Sequence, residues 1–94
     1  MKTLLKNELL PLDQIVATRN VHDMLSSLDI NMALRCHQNY DWGEVCETDW
    51  RSNDEAVLKG LRVLSVYRSV TGKKFWIITE ADRSLTMVLL PEYY

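Results

Sequence analysis

The sequence predicts an α+β fold in which about three N-terminal helices pack on a C-terminal three-stranded antiparallel sheet. Apolar residues recur at helical spacing as far as Gly60. After Gly60 they form short runs rich in β-branched and aromatic residues, separated by turn formers. The 94 residues are 47% hydrophobic and 26% charged, which is typical of a folded globular protein and unlike a disordered chain. We therefore predict one domain over residues 1–94.

The first two predicted helices occupy the N-terminal third of the chain. The first runs from about Pro11 to Leu28, because proline suits a first turn and the apolar positions fall on one helical face. Those positions are Leu12, Ile15, Val16, Met24, Leu25 and Leu28. A second, shorter helix follows, capped by Asp29 or Asn31 and ending near Asn39.

The third predicted helix lies between two glycines. Gly43 interrupts the helical pattern after the second helix. Helical spacing then resumes from about Thr48 to Lys59, with Thr48 or Asp49 as the N-cap. Gly60 follows directly and predicts the end of the helix.

Three strands are predicted at about 62–69, 74–80 and 85–90, joined by turns at 70–73 and 81–84. Because side chains alternate along a strand, the middle strand places apolar residues on both of its faces. We therefore expect this strand to be central in the sheet, with Ile77 and Ile78 at core positions.

The charge is unevenly distributed along the chain, whose net charge is −2. Residues 41–55 hold six acidic residues and one arginine, a net charge of −5, whereas residues 56–94 hold six basic and three acidic residues, or +3. A strong duplex DNA binder normally carries a larger basic excess, so the sequence does not predict strong duplex DNA binding.

No apolar run approaches the ~20 residues of a membrane span, and residues 1–10 lack a signal-peptide pattern. We expect a cytoplasmic protein without membrane contact.

The two cysteines, Cys36 and Cys46, are expected to be free thiols in a reducing compartment. Zinc sites usually pair their ligands at short spacings. Adjacent Cys36 and His37 would instead point about 100° apart on a helix. The sequence therefore predicts no metal and no cofactor.

Seven segments spread over nearly the whole chain carry a family resemblance. They are Asn7–Leu12, Ala17–Asn20, His37–Gln38, Asp41–Gly43, Leu64–Arg68, Trp76–Ser84 and Leu89–Glu92. Together they resemble a family of small bacterial "plasmid-related" proteins, and the block from Trp76 to Ser84 is the most specific part. The chain departs from that family at Asp13, where glycine is common, and at Met87, where threonine is common.

This resemblance implies a bacterial setting on a plasmid or integrative element, and it brings no settled activity with it. The order of elements is also similar to barnase/RelE-like ribonuclease folds, in which helices precede an antiparallel sheet whose face carries the chemistry. That second likeness is one of architecture, which does not by itself establish function.

Five side chains form the predicted binding site: His37, Asp41, Glu80, Asp82 and Arg83. They offer an imidazole, three carboxylates and a guanidinium at predicted loops or element ends, where functional residues concentrate. A structural interpretation is also open. In it, His37 caps the carbonyls of its helix, Asp82 bonds nearby backbone N–H groups, and Glu80 pairs with Arg83 across the turn.

Two functional hypotheses follow. The lead is an accessory protein of a mobile element that binds a host or element-encoded protein, with counter-defence or host modulation as conceivable roles. The alternative is a metal-independent ribonuclease-like protein or toxin that contacts RNA. Its catalytic candidates are His37, Arg68 and Arg83, because RNA cleavage needs a base, an acid and a cation for the phosphate. No complete catalytic motif is present, so the lead hypothesis assumes no enzymatic activity.

Overall fold

A four-stranded mixed sheet forms the centre of the fold in the computed structural model, which describes residues 8–93. The strands are β1 (Gln14–Ala17), β2 (Val63–Arg68), β3 (Lys74–Thr79) and β4 (Leu85–Leu89). Their order across the sheet is β1-β4-β3-β2. The pairs β2–β3 and β3–β4 are antiparallel, whereas β1 is parallel to β4.

Three α-helices lie between β1 and β2 in the described part of the chain. They are α1 (Val21–Met24), α2 (Ser27–Gln38) and α3 (Glu47–Lys59), and a 3₁₀ turn, Pro91–Tyr93, follows β4. The fold is therefore α+β, as predicted. None of the helices among residues 8–93 is long and apolar enough to cross a membrane. Asn7, the first residue of the family-like segments, lies outside the described residues.

The three predicted C-terminal strands are confirmed, together with their antiparallel arrangement. β3 lies between β2 and β4, and Ile77 pairs with Ser65 on one side and Val88 on the other. Ile77 and Ile78 point to opposite faces of β3, and both are fully buried. The expectation of a central strand with cover on both faces is confirmed.

The first predicted helix, from Pro11 to Leu28, is wrong. β1 takes its first half, and a turn with Asn20 in the left-handed region (φ 69°) separates β1 from the four-residue α1. The β-branched pair Ile15–Val16 suits a strand at least as well as a helix. Pairing with β1 satisfies the outer peptide groups of β4, and local helical spacing cannot compete with that long-range gain. The sheet consequently has four strands instead of three.

The second and third predicted helices are present with shifted starts. α2 begins at Ser27, and its N-cap is Ser26, whose side chain accepts a hydrogen bond from the Asp29 N–H at 3.1 Å. Cys46 occupies the N-cap of α3, two residues before the predicted Thr48. Gly60 ends α3 in the left-handed region (φ 69°), as predicted.

The core consists of two clusters of buried apolar side chains. The first packs α1 and α2 against one sheet face, and its members are Val21, Leu25, Ile30, Ala33, Tyr67, Phe75, Ile77, Val88 and Leu90. The second packs α3 and the segment before β1 around a buried tryptophan, and it contains Leu10, Trp42, Ala56, Val57 and Val63. The His37 and Trp42 rings meet edge to face with centroids 5.5 Å apart, which joins the two clusters.

The outer edge of β2 is covered by two neighbouring segments. The Asn53 side chain donates to the Leu64 carbonyl at 2.7 Å and accepts from the Leu64 N–H at 3.3 Å. Farther along the strand, Val66 donates to the Trp42 carbonyl, and Glu44 donates to the Val66 carbonyl. These bonds satisfy peptide groups that an open edge strand would leave exposed.

Candidate functional site

His37 lies in the last turn of α2 and faces the sheet, where it is fully buried. Nδ1 is 2.5 Å from Ser65 Oγ, and Nε2 is 2.8 Å from Thr79 Oγ1. Thr79 Oγ1 is in turn 2.8 Å from Thr86 Oγ1. The predicted capping role of His37 is wrong, because its ring bonds to β2 and β3 instead of its own helix.

The environment of His37 keeps its imidazole neutral. Burial lowers the pKa of His37 to about 3, and the positive charge of Arg83 acts in the same direction. Both ring nitrogens are engaged by hydroxyls, and no part of the ring reaches solvent. The arrangement suits a structural polar core, and it offers a substrate no access to the ring.

Arg83 holds together the end of α3 and the β3–β4 turn. Its guanidinium donates to the carbonyls of Ala56 at 3.1 Å and Leu61 at 2.7 Å. It also donates to the Glu80 backbone carbonyl at 3.1 Å, where an ion pair with the carboxylate was expected. Burial lowers the pKa of Arg83 from its usual range, although the charge of Asp82 opposes that effect. These bonds give Arg83 a structural role at the C-terminal end of a helix.

Two carboxylates of the predicted site stabilise tight turns. Asp82 Oδ1 accepts from the Ser84 N–H at 3.0 Å and from Ser84 Oγ at 2.6 Å, and these bonds lower the pKa of Asp82. Asp41 Oδ1 accepts from the Gly43 N–H at 3.1 Å. Both are local side chain-to-backbone contacts of the kind expected for aspartate in turns.

Arg68 lies at the end of β2 and takes part in a different set of contacts from His37. Strand alternation places Arg68 on the opposite face of β2 from Ser65, which bonds to His37. Its guanidinium donates to both carboxylate oxygens of Glu44, at 3.2 and 3.1 Å. The structure therefore brings Arg83 near His37 but leaves Arg68 away from both, and the three do not line one open cleft.

Among residues 8–93, the three most exposed large apolar side chains belong to a surface that the sequence reasoning missed. Leu28 and Met32 project from α2 and are 68% and 61% exposed, and Val70, in the β2–β3 turn, is 89% exposed. Cys36 follows on the same side of α2 and is partly buried. We refer to Leu28, Met32, Cys36 and Val70 together as the α2 surface.

Two adjoining grooves flank Met32 and Cys36, which line both of them. One groove has a volume of about 410 Å³ and extends to Leu28 and Asp41. The other, of about 340 Å³, lies between α2 and the β2–β3 hairpin, and its lining includes Val70. The two grooves give the α2 surface the concave shape that receives side chains of a ligand or partner.

The spacing of Leu28, Met32 and Cys36 contained a signal for this surface. The three residues stand four positions apart, which places them on one side of a helix. The predicted boundary at Leu28 divided them between two helices and hid the pattern. Val70 carried no such signal, because only the hairpin brings it beside α2.

Cys36 and Cys46 are free thiols, as predicted. Burial and the charge of Asp41 raise the pKa of the Cys36 thiol, so Cys36 contributes a neutral side chain to the grooves. Within residues 8–93, no three His, Cys, Asp or Glu side chains are grouped so that they could hold a metal ion.

No family model matches this chain, and no curated protein or solved structure is significantly similar to it. The resemblance to the "plasmid-related" family therefore stays a prediction from the sequence segments.

Proposed function

We propose that this protein acts by binding another protein, and that the α2 surface receives an amphipathic helix of that partner. The observation that supports this proposal is the convergence of three strongly exposed apolar side chains, Leu28, Met32 and Val70, around two adjoining grooves. Contiguous exposed apolar groups beside concave surfaces are typical of protein interaction sites.

The geometry of α2 favours a helical ligand. Leu28 and Cys36 are separated by two helical turns, or about 12 Å along the axis. A partner helix lying along this row could insert apolar side chains at positions i, i+4 and i+7 into the grooves on either side of Met32. Burial of large apolar side chains is worth about 1.5–3 kcal/mol each before the costs of association, so a few anchors suffice for specific binding.

The rim of the grooves has a small excess of acid. Asp41 belongs to the groove near Leu28, and Asp29 to the groove near Val70, whereas Arg35 is the cation of the first groove. Glu44, from the acidic stretch 41–55, also lines the second groove, but its charge is balanced there by an ion pair with Arg68. We therefore expect the polar flank of the partner helix to carry at least one lysine or arginine.

The family resemblance supplies the setting of the proposal. It suggests a protein of a plasmid or integrative element, so the partner is a host protein or one encoded by the same element. Counter-defence or host modulation would fit that setting.

The test compares partner recovery by the wild-type chain and by Met32→Glu. Each tagged protein is incubated with lysate of the native host, and recovered proteins are quantified by mass spectrometry. Every protein enriched by the wild type is then purified and titrated calorimetrically against both forms. We expect at least one direct partner, with affinity at least about tenfold weaker for Met32→Glu because a carboxylate would have to be desolvated in the grooves.

Leu58→Glu is the matched control. Leu58 is an exposed apolar residue on α3, outside the α2 surface, and it is 47% exposed. This variant should bind the partner as the wild type does. Equal binding by the wild type and Met32→Glu, with both variants folded, would contradict the proposed surface.

The ribonuclease alternative has less support from the geometry. Its candidate base, His37, is enclosed and bonded at both nitrogens, and Arg83 is engaged by three backbone carbonyls. Release of His37 would require the sheet and α2 to separate. An RNA-cleavage assay of the wild type and His37→Gln tests this alternative, which requires cleavage by the wild type only.

A further inference from the structure

β1 is an edge strand whose outer side is open among the described residues. It pairs with β4 on one side only, whereas the outer edge of β2 is covered by Asn53 and by residues 42–44. Ile15 is 49% exposed and Val16 is 39% exposed. No charged side chain lies within β1, although charge is a common device for blocking unwanted strand pairing.

The direction of the free backbone groups follows from the pairing with β4. Gln14 and Thr18 donate their N–H groups to the carbonyls of Ser84 and Val88. Because backbone groups alternate in direction along a strand, Val16 also faces β4, and Ile15 and Ala17 present their N–H and C=O groups outward. Another strand can therefore bond to β1 through Ile15 and Ala17.

One antiparallel register uses both outward-facing residues in a symmetric way. If Ile15 of one chain pairs with Ala17 of another, the reverse pair forms as well, and the two-fold axis passes between the two Val16 residues. In this register Asp13 stands opposite Arg19 of the other chain, and the same pair occurs twice. Both Asp13 and Arg19 are exposed.

We propose that β1 pairs with β1 of a second copy of this chain in that register, so that two four-stranded sheets join into one continuous sheet across a two-fold axis. Three features favour this pairing: the outward direction of the free backbone groups of β1, the Val16–Val16 contact at the centre, and the opposite charges at both ends. This surface is separate from the α2 surface, because β1 and β2 lie at opposite edges of the sheet.

The first test reverses the charges at the ends of the paired segment. Sedimentation velocity over a range of about 1 µM to 1 mM should show a monomer–dimer equilibrium for the wild-type chain. Asp13→Arg and Arg19→Asp should each weaken dimerisation roughly tenfold, because both symmetry-related pairs change from attraction to repulsion. The double variant Asp13→Arg/Arg19→Asp should return to within about threefold of the wild type.

Asp49→Arg, which makes the same charge change at an exposed position on α3, is the control and should leave the equilibrium unchanged. Thermal unfolding of every variant verifies that the fold is intact. A wild-type chain that stays monomeric over the whole range would overturn the proposal. A dimer insensitive to either single reversal would overturn it as well.

The second test reports the register directly. In a Cys36→Ser/Cys46→Ser background, Val16→Cys places two thiols opposite each other at a non-hydrogen-bonded pair, where Cα atoms are about 4.5 Å apart and a disulfide can form. Gln14→Cys, on the same face of the strand, places the two thiols four residues out of register, or about 14 Å apart. Mild oxidation should crosslink the first variant and leave the second monomeric on a non-reducing gel. Equal crosslinking of the two variants, or none with Val16→Cys, would overturn the register.

Discussion

His37 shows how its surroundings determine what a titratable residue does. The sequence placed it at the end of a helix, where histidine commonly caps carbonyls or acts as a base in a cleft. In the structure it links α2 to β2 and β3 through the hydroxyls of Ser65 and Thr79. Arg83 also differs from its predicted role. It was a candidate to bind phosphate, but its guanidinium binds backbone carbonyls at the end of α3.

We predict that His37 makes the fold sensitive to acid. Its folded pKa of about 3 lies below the usual value near 6.5, so between these values the unfolded chain binds a proton that the folded chain does not. The free energy of unfolding should therefore fall as the pH is lowered from about 6.5 to about 3. The slope from this residue is about 1.4 kcal/mol per pH unit. Denaturant titrations over this pH range measure it.

The matched variants are His37→Gln and His22→Gln. His37→Gln lacks the titrating group, so its stability should depend less steeply on pH than that of the wild type. His22 is exposed, and His22→Gln controls for the exchange of a histidine for glutamine itself. Parallel pH profiles for the wild type and His37→Gln would contradict the prediction.

At the scale of helices and strands, local sequence pattern predicted some elements and missed others. Local pattern identified β2, β4 and α3 by their periods and β3 by its continuous apolar run, and each has a turn or stop signal at its end. It failed for β1, whose four residues are too few to establish a period. The same lack of local signal applies to the 42–44 segment, which pairs with β2 at Gly43 and Val66.

Gly43 is predicted to be required for that pairing. It has φ 75°, and a Cβ there would lie 1.9 Å from the Val66 carbonyl oxygen. Gly72 also has a positive φ, 88°, but a Cβ there would meet nothing within 4 Å. Gly72→Ala should lower the free energy of unfolding by about 1–2 kcal/mol through backbone strain alone. Gly43→Ala should cost clearly more, because the segment must also move away from β2. Equal losses in urea denaturation would mean that the close approach does not matter.

The central position of β3 leads to a prediction for both of its faces. Ile77→Ala and Ile78→Ala should each lower the free energy of unfolding by about 2–4 kcal/mol, because each removes fully buried methyl groups. Leu58→Ala, at an exposed site on α3, should lower it by much less. Thermal or urea unfolding of the three variants measures these changes in the free energy of unfolding. An unchanged stability of Ile78→Ala would show that only one face of the sheet is packed.

On the scale of the whole molecule, the two core clusters share the sheet and the contact between His37 and Trp42. The Cα radius of gyration is 12.6 Å, close to the value of about 12.4 Å for a compact domain of this length. Neither cluster is large enough to form an independent core, since domains below about 40 residues rarely fold alone.

We therefore predict a single cooperative unfolding transition. Tryptophan fluorescence, which includes Trp42 in the second cluster, should change at the same urea concentration as the far-UV circular dichroism of the helices and sheet. Near-UV circular dichroism, to which the aromatic side chains of both clusters contribute, provides a third signal. Separate midpoints for these signals would show that the clusters unfold independently.

The sequence alone determined the α+β class, the three C-terminal strands and the end of α3 at Gly60. Each of these depends on short-range rules: side-chain alternation, turn residues and the freedom of glycine to adopt positive φ. The sequence also indicated which residues at turns and element ends carry polar chemistry, although it could not tell which of them would be enclosed.

Only the tertiary structure shows that β1 is a strand, that His37 is buried and that the α2 surface exists. β1 forms by pairing with β4, whose residues lie 71 positions farther along the chain, and His37 stays neutral because it is buried between α2 and the sheet. Val70 joins Met32 because the β2–β3 hairpin folds beside α2. All three depend on contacts between residues far apart in the chain. The free energy of such contacts comes from packing and desolvation, and it produces no periodic pattern in the local sequence.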